Sequence, residues 1–254
     1  MSTPKPFISL SVDVTNPGQY FACCGLLELA HRMPLWHEVE GWFASRIFSI
    51  RAHTDVEPGW RNILDLVLTG TITANAVGAD DALRPIHIEP CGITLDWWVD
   101  LRGRKTPLKL WAGQQTSRGI VLALQDAIKG VVHTSPDALF DASQPLTGRF
   151  GVDPRAAWNT LDVGFSPNEQ QMEVVTFPVV ELVAAIGLQG FRPRQHDDDS
   201  FRYATWSEPL PVPIARAACA GCLSAGIVRH FSFRVATRGS YKGFDYASPI
   251  GGEL

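Results

Sequence analysis

Between Phe7 and Val14 the chain alternates, with Ile8, Leu10, Val12 and Val14 on one face and Ser9, Ser11 and Asp13 on the other, and period two predicts a half-buried strand. Thr15-Asn16-Pro17-Gly18-Gln19 interrupts it with turn formers. From Tyr20 to Met33, Phe21, Cys24, Leu27, Leu29 and Ala30 recur at helical spacing until Pro34 stops the run. The spacing further predicts a strand over Gly41 to Ile50, a short helix over Gly59 to Leu68 and a strand over Thr71 to Val77. Ile86 to Ile88 and Ile93 to Val99 read as a hairpin around Pro90-Cys91-Gly92. A long helix is expected from Trp111 to Ile128, carried by Ile120, Leu122, Leu124, Ala127 and Ile128.

Pro136 to Phe165 is rich in turn residues and reads as irregular connection with a strand or two. Phe177 to Gln189 is a third apolar helix, ended by Gly190. Phe201 to Trp206 and Ile227 to Val235 are strands, and between them lie the run Pro209-Leu210-Pro211-Val212-Pro213 and a short helix over Ile214 to Cys222. The order predicts a single elaborated α+β domain over residues 1–254, with a sub-boundary near 136–165. It would hold an antiparallel or mixed sheet with packed helices, a ferredoxin-like core with insertions being the candidate topology.

Composition narrows the function classes. The chain has 254 residues, 45% hydrophobic and 19% charged, which excludes a mainly disordered protein. No run of apolar residues is long enough for a membrane span, and no secretory signal precedes the first strand, so a cytoplasmic protein without membrane partners is expected. Five cysteines, two of them adjacent (Cys23, Cys24), read as reduced core residues. With 22 Lys and Arg against 26 Asp and Glu the net charge is −4, which argues against binding nucleic acid over the whole surface.

Charge is nonetheless unevenly placed. Residues 101 to 118 carry Arg102, Arg104, Lys105, Lys109 and Arg118 and no acid. These cations, with Gln114 and Gln115 before the expected helix near Trp111, can converge on phosphate oxygens; the alternative is a solvated strand end neutralising Asp96 and Asp100. A second patch, Arg229, Arg234, Arg238 and Lys242, is interleaved with Phe231, Phe233, Tyr241 and Phe244, a mixture suited to stacking on bases or to an ordinary exposed sheet.

Catalytic signals are sparse. His196-Asp197-Asp198-Asp199 is the one dense group of metal-capable side chains in the sequence, and a metal-dependent nuclease or hydrolase using His196, Asp197 and Asp199 is the competing reading. Its flanks, Arg192-Pro193-Arg194-Gln195 and Ser200, place it in a loop, where a solvated acidic turn is the plainer expectation. Cys219 and Cys222 form a CxxC with no companion ligands, and core packing on one side of a short helix is expected of them. Nucleophile-elbow, Walker, dinucleotide-binding and His-Glu-x-x-His patterns are absent, so no enzyme and no cofactor are expected.

The run Thr15 to Ala30 (TNPGQYFACCGLLELA) is followed by Gly41-Trp42-Phe43, Leu110 to Gln115 (LWAGQQ), Leu161 to Pro167 (LDVGFSP), Gly187 to Pro193 (GLQGFRP) and Tyr203 to Ser207 (YATWS). In this order the motifs resemble the Csb-type subunits of type I-U (I-G) CRISPR systems, over nearly the whole chain. The resemblance implies a non-catalytic subunit of a Cascade-type surveillance complex. Its partners would be the other Cascade subunits, a guide RNA, target DNA and a recruited helicase-nuclease that does the cutting. The role implied is that of a large-subunit equivalent or of a ferredoxin-like backbone subunit that grips RNA. Asn16, Pro17, Gly18 and Gln19, and Trp111 to Gln115, become candidates for interface or nucleic-acid contact. Against this, Pro17-Gly18 can simply make a turn and Trp111 can simply pack.

Overall fold

The computed structural model describes residues 5–54, 59–74, 83–111, 115–130, 138–156, 174–223, 228–238 and 241–251. It is an α+β fold built on antiparallel sheets. Strand β1 (Ile8–Ser11) leads into α1 (Pro17–His31), and the hairpin β2 (Trp36–Ala44) and β3 (Ile47–Thr54) follows. β3 lies between β1 and β2, and β11 (Leu210–Pro211) adds to the outer side of β2. This split β-α-β arrangement matches the first half of a ferredoxin-like fold. The expected completion is not found among the described residues, because the fourth strand sits beside β2 rather than beside β1.

Helix α1 begins at Pro17, three residues earlier than the spacing suggested, because Asn16 caps it: its side chain accepts the Gln19 N–H, and Pro17 occupies the first turn. Every residue from Pro17 to Ala30 is buried. The helix therefore lacks a polar face and acts as the hub of the fold.

Against it lies α4 (Pro178–Gly190), and two glycines let the backbones approach. A Cβ on Gly25 would stand 2.0 Å from the Val183 carbonyl oxygen, and one on Gly187 would stand 1.9 Å from that of Phe21. Neither position admits a side chain without the helices moving apart. On another side Tyr20 stacks on Tyr203 at 4.1 Å, and its hydroxyl donates to the Ala204 carbonyl. This ties α1 to the second sheet, which runs β13 (Tyr241–Phe244), β12 (Val228–Arg238), β10 (Ser200–Trp206), β9 (Arg194–Gln195), with β14 (Ser248–Ile250) also on β12.

The remaining elements are α2 (Trp60–Leu68), the sheet β4 (Thr71–Ala74), β5 (Ile86–Glu89), β6 (Ile93–Leu95), α3 (Ser117–Lys129), the pair β7 (Gln144–Leu146) and β8 (Val174–Thr176), and α5 (Val212–Cys219). Three expectations are corrected here. Gly41 to Ile50 is two strands, since Ser45 takes a φ of 57° and turns the chain without the usual glycine or asparagine. The helix expected from Trp111 starts at Ser117, capped by the Thr116 hydroxyl, because Trp111 is drawn into a cluster with Trp97, Trp98 and Phe150. That same cluster takes Trp97 and Trp98 out of the predicted strand. Among the described residues, no helix is long and apolar enough to cross a membrane.

Candidate nucleic-acid interface

Beyond β6 the chain makes a tight turn whose geometry is set by one carboxylate. Asp100 accepts the backbone N–H groups of Arg102 and Arg104, and Gly103, at a φ of 73°, donates its N–H to the Asp100 carbonyl. The Arg104 guanidinium returns to Asp100 at 2.8 Å. The Arg104 N–H and then its guanidinium hold the Asp100 carboxyl below its ordinary pKa. The turn thus presents Arg102, Arg104 and Lys105 to solvent, and Lys105 has no ion-pair partner among the described residues.

Facing this turn is the segment that leaves α4. Arg192 there pairs with Asp96 at 3.2 Å, and Asp96 is also held by the Gln189 amide. Between the two segments lies a cleft of about 530 Å³, its lining including Trp97, Asp100, Arg104, Lys105, Arg192 and Phe201. Its charged lining is three cations against one carboxylate. The sequence marked the first segment alone. Arg192 belongs to it only through the fold, and its signal lay in the Arg-Pro-Arg flank already noted beside the aspartates.

Other candidates are placed elsewhere. Lys109 is buried, its ammonium donating to the Trp111 carbonyl and lying 4.9 Å from the Trp111 ring centroid, so its charge is used inside the chain. Trp111 is buried with it. Gln115 donates to the Thr147 carbonyl, and Arg118 is exposed on the first turn of α3, outside the cleft lining. Gln114 lies outside the described residues, as do Ala112, Gly113 and the 161–167 motif.

The loop motif is also internal. Asn16 donates to Asp153, Gln19 accepts the Asp13 N–H, and a Cβ on Gly18 would meet the Asp153 Cα and the Val152 carbonyl oxygen at 2.8 Å. Asn16, Pro17, Gly18 and Gln19 are all buried, so these four anchor a helix rather than offer an open surface. Their partner is itself part of a buried ionic network. Asp153 pairs with Arg155, and Glu181 accepts the N–H groups of Gly151 and Asp153. Burial drives the Glu181 pKa up to about 7, against the opposing pull of Arg149 and those N–H donors.

In the second patch Arg229 and Lys242 are exposed, and Arg234 is exposed and paired with Asp199. Arg238 is on β12 and Tyr241 on β13, the side chains of both lying outside the described part of the structure. Phe231, Phe233 and Phe244 are buried, turned into the core by strand alternation, so these rings are not presented for base stacking.

His196 to Asp199 form the tight connection between β9 and β10. Ser200 donates to the Asp197 carboxylate, Asp199 is taken by Arg234, and His196 meets Arg202. Among the described residues no group of three or more His, Cys, Asp or Glu could hold a metal ion. The CxxC splits, with Cys219 buried and Cys222 exposed. Gly221, at a φ of 71°, ends α5 in a turn that sends the Cys222 N–H to the Ala217 carbonyl.

No family model matches the chain, and no curated protein matches it.

Proposed function

We propose that this chain is a non-catalytic subunit of a type I CRISPR surveillance complex that contacts guide RNA or target DNA, acting as the large-subunit equivalent. The reading draws the class of complex from the motif resemblance. Its support in the fold is one observation: Arg104 and Lys105 on one turn and Arg192 on a distant segment converge on a single cleft. Phosphate contacts of this kind position a nucleic acid without reading its sequence, which in such a complex falls to base pairing. A net charge of −4 accords with binding through one local groove beside large protein contacts.

The test replaces Arg104, Lys105 and Arg192 together by Glu in the complex copurified through a tag on this chain. Exposed charge changes move stability by less than about 0.5 kcal/mol each, so the variant is expected to fold and assemble. Its affinity for nucleic acid is expected to fall at least tenfold. Assembly with unchanged affinity would refute the cleft as the contact, and failure to assemble would reassign it to a protein interface.

A further inference from the structure

The outer face of the β9–β10 ladder carries an arrangement that the cleft does not use. Arg194 and Arg202 stand directly opposite each other in the antiparallel register, so both guanidiniums project from the same face, while their neighbours Gln195 and Phe201 point to the other. Like charges so placed repel unless an anion lies between them.

No carboxylate among the described residues supplies that anion. Asp199 is paired with Arg234, Asp197 accepts from Ser200 and lies 3.8 Å from the His196 Nε2, and neither arginine forms an ion pair with any described residue. Opposite Arg202 on β12 stands Ser232, a neutral hydroxyl. The polar partner that Arg202 does have is the His196 imidazole, whose Nε2 lies 2.7 Å from its Nη2. A guanidinium only donates, so Nε2 must be the unprotonated nitrogen and the ring adds no negative charge. The Arg202 Nε is buried with no hydrogen-bond partner among the described residues. That nitrogen is covered by the protein itself, so an anion reaches Arg202 only through its terminal Nη groups.

We propose that Arg194 and Arg202 form an oxyanion site, in which one phosphoryl group bridges the terminal Nη groups of the two guanidiniums. Tetrahedral phosphate oxygens match the donor fork of arginine and can accept from two guanidiniums at once. The site lies on the opposite face of the ladder from the cleft and does not depend on the function proposed above.

The experiment follows the arginine Nε–H resonances of the whole chain by NMR. It is titrated with inorganic phosphate, and separately with a dinucleotide bearing one phosphodiester, each at constant ionic strength set with sodium chloride. Saturable shifts of the Arg194 and Arg202 signals are expected with at least one probe. Phosphate alone would identify a free-phosphate or monoester site; the dinucleotide would identify a stop for a nucleic-acid backbone. Arg194→Gln, an exposed change on a two-residue strand, is expected to weaken binding about tenfold, and Lys129→Gln, an exposed change on α3, to leave it unchanged. No saturable shift with either probe, or binding that Arg194→Gln leaves intact, would overturn the proposal.

Discussion

Glu181 is a carboxylic acid that burial holds well above its ordinary pKa. It is fully buried on α4, yet it orders the loop that carries Asp153 by accepting two of its backbone N–H groups. The native carboxyl holds its proton to about pH 7, whereas an unfolded one releases it near about pH 4.3. Protonation therefore stabilises the fold fully below the unfolded value, and that contribution is lost as pH rises through the native value. The size is about 4 kcal/mol. Glu181→Gln keeps the shape and one acceptor while removing the titration, so denaturant melts of the two proteins are expected to diverge with pH. The native chain should lose stability relative to the variant between about pH 4.3 and 7. Parallel curves would mean that Glu181 is not the titrating group. Nothing in the sequence singles out this residue, since Pro178-Val179-Val180-Glu181 reads as the first turn of an apolar helix and the groups its carboxyl meets come from the distant Gly151–Asp153 loop.

At the level of elements, α1 and its cap carry the most structural consequence. Asn16 both receives the Gln19 N–H and donates to Asp153, joining the start of the helix to the buried ionic network. Asn16→Ala is expected to cost about 2 kcal/mol, the lost cap and the lost hydrogen bond to Asp153 together, measured as a lowered urea midpoint with helix content retained. A loss below about 0.5 kcal/mol, the range of an ordinary surface change, would contradict this anchoring role. The same element shows why local pattern was informative in some places and silent in others. The strand read over Phe201 to Trp206 and the apolar helix read over Phe177 to Gln189 fall within a residue of β10 and α4, because each forms where its own sequence favours it. The turn at Ser45 and the loop at Trp111 are held by partners outside the local run: Ser45 by the pairing of β2 with β3, Trp111 by three aromatic rings. Asn16-Pro17 did hold a start signal for α1, and these candidates for interface or nucleic-acid contact lie inside because Gly18 packs on the backbone of Val152 and Asp153, far along the chain.

For the whole molecule, we propose that a chain with a net charge of −4 holds a nucleic acid through one cleft assembled from two separate segments. Half of that site was legible, as the acid-free run that contains Arg104 and Lys105. Arg192 was not, because only the packing of α4 near β6 brings it there, and Lys109 was assigned wrongly because its charge is consumed by Trp111. The most direct test is the salt dependence of nucleic-acid affinity for copurified complexes of equal composition, carrying either the native chain or the milder variant with Arg104, Lys105 and Arg192 all replaced by Ala. Each neutralised phosphate adds a slope of about −0.9 in log affinity against log salt on duplex DNA, or about −0.7 on a single strand. A slope flattened by roughly 2 to 3 is expected for the triple variant, each cation having neutralised one phosphate. An unchanged slope and affinity in a fully assembled complex would contradict it.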